Sequence, residues 1–158
     1  MGAGAIAQPA HLPVLSKLTG AELVALCDND GPTASAIAER LAIPDVFTDI
    51  EDLLELDEVD AVVIATPAST HEALVRASLN SGRDVLVEKP MALHAAGCDA
   101  LCDLADSAGR VLLVGYTFLS NAGVRTAKEV MPPDQFGPPY YRPAPRTNLA
   151  PLPPDATP

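Results

Sequence analysis

Residues 61–71 read AVVIATPASTH, and this stretch decides the fold. Its first part, AVVIAT, is a continuous apolar run rich in β-branched residues, without alternation of polar and apolar positions. A strand solvated on one face alternates, whereas a strand covered on both faces does not. The run is therefore expected to be an inner strand of a parallel sheet. A helix follows: Ser69 or Thr70 is the expected cap, Glu72 sits in the first turn where the dipole favours a carboxylate, and Gly82 stops it after Ser81.

Outward from this unit the pattern repeats. DVLVE at 84–88 and RVLLVGY at 110–116 read as strands, with a helix over 94–108 that Gly109 stops. Upstream, ELVALC at 22–27 reads as a buried strand and residues 33–41 as a helix, ending ahead of Ile43-Pro44 because proline restricts the residue before it. Residues 46–48 are a short strand candidate, Asp49 or Asp52 the cap of a helical turn before Leu56, and residues 121–131 a further helix. Strands and helices alternating over short links predict right-handed βαβ units around a parallel sheet.

With 158 residues, 48% of them apolar, the chain can bury a sizeable core, which Ala, Leu and Val must fill because aromatics make up only 4%. A net charge of −11 repels phosphate backbones and anionic membranes, so neither nucleic acid nor a membrane is an expected partner. No apolar run approaches the roughly 20 residues of a membrane span, and the expected compartment is the cytoplasm. Cys27, Cys98 and Cys102 form no CxxC pair; buried small residues are favoured over a metal site for the pair at 98 and 102. Ten of the 16 prolines follow residue 130, so PPYYRPAPRTNLAPLPPDATP supplies at most an edge strand and then an extended tail.

Four places could carry chemistry. Gly2-Ala3-Gly4-Ala5-Ile6-Ala7 fits G-x-G-x-x-A, in which the first glycine permits a tight turn and the second lets backbone approach a pyrophosphate. A small-residue helix start looks the same. Asp28, 24 residues after Gly4, stands at the tip of the 22–27 strand, where a carboxylate accepts both hydroxyls of an adenosine ribose and repels a 2′-phosphate. NAD is thus expected over NADP; a solvated Asp-Asn-Asp turn is the alternative. Thr66, Pro67 and the Ser69/Thr70 cap lie where strand 61–66 ends, facing the ligand crevice of a doubly wound sheet, while His71 either packs or faces solvent. Finally, Glu88-Lys89-Pro90 follows a strand directly, and Lys89 is the only lysine between residues 18 and 127. A cation there can stabilise negative charge on a substrate oxygen; a surface lysine paired to Glu88 is the plain alternative.

Together GAGAIA, Asp28, ATPASTH, VEKP and VGYTF resemble the nucleotide-binding half of the Gfo/Idh/MocA oxidoreductase family, with E-K-P the most specific element. The resemblance implies a Rossmann-like domain followed by a larger substrate-binding sheet domain that forms homo-oligomers. It also implies hydride transfer between NAD(P) and a hydroxyl carbon of a small-molecule sugar or cyclitol. By position it implies Gly2, Gly4, Ala5 and Ile6 at the pyrophosphate, Asp28 at the adenosine ribose, and Thr66, Pro67 and His71 in the crevice. Glu88 would lie near the nicotinamide ribose and Lys89 at the reacting oxygen. The expected organisation is an NAD(P)-binding domain over 1–119, then over 120–158 a crossover helix and the start of a truncated substrate domain.

Two departures from the family pattern shape that expectation. The strand ahead of the glycines is missing, although it is central in the 3-2-1-4-5-6 order, and none of His11, His71 and His94 matches the family's acid/base histidine. The fold class expected is therefore α/β, a doubly wound parallel sheet without its first strand and almost without its substrate domain. A non-catalytic dinucleotide-binding module, or an inactive fragment, is the alternative to an oxidoreductase. Each buried polar group left unpaired costs about 1–3 kcal/mol, against the roughly 5–15 kcal/mol by which domains are stable.

Overall fold

The computed structural model describes residues 1–130. Met131 and the stretch at 136–151, expected to open a second domain, lie outside the described residues. Met1–Tyr116 form one compact unit, and a second begins at Thr117.

The first unit alternates strands and helices as expected. Its strands are β1 (Ala25–Cys27), β2 (Asp45–Phe47), β3 (Ala61–Ile64), β4 (Asp84–Val87) and β5 (Leu112–Val114). A π-helical turn, Ala7–His11, runs into α1 (Leu12–Leu15); α2 (Gly31–Leu41), α3 (Ile50–Leu54), α4 (Ala68–Asn80) and α5 (Ala95–Ala108) connect the strands. Every strand pair is parallel. The second unit, described by itself, holds a 3₁₀ turn at Thr117–Ser120 and α6 (Ala122–Val130), neither with a buried residue.

Local chemistry explains most boundaries. Asp30 caps α2 by accepting from the Thr33 N–H at 3.2 Å and the Thr33 hydroxyl at 2.6 Å. These bonds favour the ionised carboxylate and hold its pKa below the ordinary value. Asp49 caps α3 by accepting from the Glu51 N–H. α5 closes on Gly109 at φ 63°, with the Arg110 N–H returning to the Ala105 carbonyl. α4 differs from expectation: its N-cap is Pro67, without a side-chain cap bond, and Thr70 already lies inside the helix, donating to the Pro67 carbonyl at 2.8 Å. Ser69 and Thr70 stand two and three residues past the N-cap, too late to cap. Glu72, expected in the first turn, instead pairs with Arg76 at 3.2 Å. Cys102 is exposed rather than buried, because its side of α5 faces away from the sheet.

The strands do not form one sheet. β1 and β2 make one, β3, β4 and β5 another, in the order β3-β4-β5. The core forms two clusters that cross this division, since Cys27 of β1 packs in the larger one and Ala65, just past β3, in the smaller. Ile64, Val75, Leu79, Val87 and Leu101 pack with α4 and α5 on the larger sheet, while Leu26, Ala34, Ile37 and Ala38 pack with α2 on the smaller. Each large apolar side chain so buried stabilises by about 1.5–3 kcal/mol.

Among the described residues only Met1 and Gly2 stand between β1 and β3. The Met1 α-amino group donates to the Val63 carbonyl, and the Met1 carbonyl accepts from the Ala65 N–H at 2.9 Å. These two bonds flank Ile64 as a parallel ladder requires. On the other side the Gly2 N–H donates to the Cys27 carbonyl at 2.9 Å. Below this bridge a cavity of about 1010 Å³ separates the sheets, lined by residues 20–26 on one side and 58–63 on the other.

Candidate functional site

The site is built where both sheets end. At Gly2 the backbone takes φ 82°, and a Cβ there would stand 2.7 Å from the Ala65 carbonyl oxygen; only glycine fits. The chain then turns so that the Ala3 N–H donates to Asp28 Oδ2 at 2.6 Å, while Asp28 Oδ1 accepts from the Asp30 N–H at 2.9 Å. The carboxylate at the tip of β1 thus buttresses the glycine turn. Each oxygen keeps lone-pair capacity for a further donor. Gly4 has nothing within 4 Å of a Cβ position, and Gly4, Ala5 and Ile6 are exposed. The open side of the turn faces a cleft of about 460 Å³ lined by Gly2, Gly4, Asp28, Thr48, Thr66 and Pro67.

The opposite wall carries Asp49, Ile50 and Glu51. The Asp49–Glu51 side-chain hydrogen bond holds the Asp49 carboxyl below its ordinary pKa and pushes Glu51 up. This acidic rim was not singled out in the sequence; Asp49 was read there as a helix cap, and it serves as both.

At the end of β3 the Thr66 and Thr70 hydroxyls hydrogen-bond each other at 2.8 Å. His71 does not reach the cleft. Its ring is buried, with Nδ1 2.6 Å from the Pro90 carbonyl and Nε2 2.9 Å from the Thr66 carbonyl. Its place is beneath the crevice, where it spans the loops that follow β3 and β4. It packs, as one of the two sequence readings had it, because strand-end carbonyls need donors once buried.

Glu88 extends the ladder past β4, its N–H donating to the Ile64 carbonyl at 2.9 Å. Its Oε1 lies 2.9 Å from His11 Nε2 and its Oε2 accepts from the Lys89 N–H at 3.3 Å. The plain alternative of a Glu88–Lys89 ion pair is not what forms. His11 takes the carboxylate, and the Lys89 side chain is exposed without an ion pair among the described residues. Gly115 leaves the room: a Cβ there would be 3.2 Å from Glu88 Oε1. No local pattern joins His11 to a residue 77 positions away, so the sequence carried no signal for this pair.

A structure of this shape has known counterparts. The family described as oxidoreductase family, NAD-binding Rossmann fold (GFO_IDH_MocA) matches residues 1–116. The chain is 37% identical over 110 residues to an inositol 2-dehydrogenase of Acidothermus cellulolyticus, covering 70% of this chain and 32% of that protein. It is 33% identical over 116 residues to a 4-carboxy-2-hydroxymuconate-6-semialdehyde dehydrogenase of Sphingobium sp., covering 73% and 36%. Among solved structures, the 3-ketoreductase KijD10 of Actinomadura kijaniata, in complex with NADP and TDP-benzene, superposes with a TM-score of 0.77 at 29% identity. That match covers 82% of this chain and 39% of the other. The chain therefore spans between a third and two fifths of the length of these relatives.

Proposed function

This chain belongs to the GFO_IDH_MocA oxidoreductase family with its NAD-binding Rossmann fold, and from that premise we propose that it binds NAD and serves hydride transfer at a hydroxyl carbon of a sugar or cyclitol. One observation carries the reading: the Asp28 carboxylate is fixed 2.6 Å from the amide of the glycine turn, at the mouth of a cleft that both sheets line. The residues fit the group. Gly4 leaves the turn open where a Cβ would intrude, and Asp28 retains lone pairs for ribose hydroxyls.

The amides of the turn bind phosphate without help from net charge. Asp28, followed by Asn29 and Asp30, repels a 2′-phosphate and so selects NAD over NADP. Bound NAD supplies the hydride acceptor or donor. Lys89 holds a substrate oxygen by hydrogen bond and opposes the negative charge that grows on it. Glu88, oriented by His11, would hold the nicotinamide ribose of the bound cofactor. The three free cysteines suit a cytoplasmic setting.

A second reading, dinucleotide binding without turnover, is favoured by the histidines. His71 has both ring nitrogens against carbonyls, His11 is paired to Glu88, and His94 stands exposed at the start of α5.

Calorimetric titration of the chain with NADH and NADPH, followed by a screen of sugars and inositols, tests both. NADH binds more tightly than NADPH by about tenfold or more, and Asp28→Ala weakens NADH by a similar factor, as expected for a lost charge-assisted contact of about 1.5–3 kcal/mol. Lys89→Ala removes turnover and leaves NADH affinity nearly unchanged. Binding without turnover selects the second reading; a folded chain that binds neither nucleotide overturns both.

A further inference from the structure

The short helical segment that leaves the glycine turn carries one side chain across to the loop after β4. Gln8 Nε2 donates back to the Ala3 carbonyl at 2.8 Å, so the segment is tied to the turn. The Leu12 N–H returns to the Ala7 carbonyl, five residues back, and Pro13 follows without an N–H. Wide turns of this kind are rare and occur frequently at functional sites. His11 is the last residue of the turn, and its Nε2 meets Glu88 Oε1 at 2.9 Å. Both side chains are largely buried, at 20% and 15% exposure, so salt screens the contact less than it does a surface pair.

Glu88 is confined on every side that matters to its carboxylate. Its N–H is fixed in the ladder by the Ile64 carbonyl, and its Oε2 accepts from the Lys89 N–H at 3.3 Å. Gly115, bonded through its own N–H to the Val87 carbonyl at 2.8 Å, leaves only 3.2 Å between a Cβ position and Oε1. One ring nitrogen aims the carboxylate and one glycine gives it room. A carboxylate offers about four lone-pair sites, so capacity remains for ribose hydroxyls once both donors are bound.

We propose that His11 is a positioning residue for the nicotinamide half of the cofactor. Its ring aims the Glu88 carboxylate at the ribose hydroxyls and so couples the phosphate turn to the loop that carries Lys89. The inference rests on the functional reading above and adds to it a role for a histidine that transfers no proton. His11 acts through Glu88, for which it is the one side-chain partner among the described residues. Without the ring the carboxylate spreads over its rotamers, and each binding event must order it again. The adenine half, held at Asp28 and Gly4, does not feel the change.

Fragments of the cofactor provide the test. ADP carries the adenine, its ribose and both phosphates; ADP-ribose adds the second ribose, and NADH the nicotinamide. The whole chain is titrated calorimetrically with each, as wild type and as His11→Phe, which keeps ring volume and removes the donor. His11→Phe should weaken NADH and ADP-ribose by about tenfold, as for a lost bond to a charged group, and ADP by less than about twofold. His11→Gln, whose Nε2 stands near the place of the ring nitrogen, should recover most of the loss. Gly115→Ala presses on the same carboxylate without altering His11 and should give the same pattern as His11→Phe. The double variant of His11→Phe with Glu88→Gln should bind no more weakly than Glu88→Gln alone, because both changes break one link. An equal loss for ADP and NADH overturns the proposal, since His11 then only supports the turn. So do NADH affinities unchanged in both His11→Phe and Gly115→Ala, or additive losses in the double variant. ADP binding with no gain for ADP-ribose overturns this inference alone, whereas a folded wild-type chain that binds neither ADP nor NADH overturns the nucleotide reading with it.

Discussion

Gly2 and Gly4 occupy one motif and do different work. A Cβ at Gly2 collides with the Ala65 backbone at 2.7 Å, and the positive φ penalises any L side chain. Gly2→Ala is therefore expected to cost about 2 kcal/mol or more of stability, read as a fall in the urea midpoint. Gly4→Val meets open space; it should leave the midpoint nearly unchanged and weaken NADH binding by about tenfold or more, since only the approach of a ligand is blocked. At this scale the sequence showed the glycines and Asp28 well, because their demands are local: a turn, an amide, a strand tip. It showed His71 and Glu88 only as positions. Their partners, the Thr66 and Pro90 carbonyls and His11, are set by tertiary packing that no spacing encodes.

Among the elements, the strands were legible by their continuous apolar runs, and helix ends by glycine. The cap of α4 was misread, whereas the end of α2 at Leu41 was read correctly. Ser69 and Thr70 are good caps by type, but Pro67 in extended conformation already starts α4, and its fixed φ suits the entry to a helix. α2 ends without glycine at all: Ala42 takes φ 54°, with the Ile43 N–H returning to the Ala38 carbonyl in the usual C-terminal closure. A non-glycine residue there carries strain of roughly 1 kcal/mol. Ala42→Gly should relieve it and raise stability by about 0.5 kcal/mol after the extra chain entropy of glycine is subtracted. Denaturant unfolding measures the difference; a loss of stability would show that Ala42 makes contacts worth more than its strain.

For the molecule, parallel strands joined by helices were readable from the order of runs alone, whereas the expected single sheet is parted into β1-β2 and β3-β4-β5. The division of the core into two clusters was not readable, since composition says nothing of how packing partitions. That partition has a thermodynamic consequence. Cys27 and Leu53 pack into the larger cluster, but the backbone ladder between β1 and β3 runs only through Met1 and Gly2, and the smaller cluster around Leu26 and α2 has fewer large side chains to hold it. Scanning calorimetry of the ligand-free protein is expected to show two endotherms, the lower belonging to that cluster. The cleft draws Asp28 from the end of one sheet and Thr66 from the end of the other, so a nucleotide that occupies it is a staple across the seam. Saturating NADH should draw the lower endotherm up toward the higher until the protein melts as a single cooperative body. Cooperativity of this chain is then something its ligand confers.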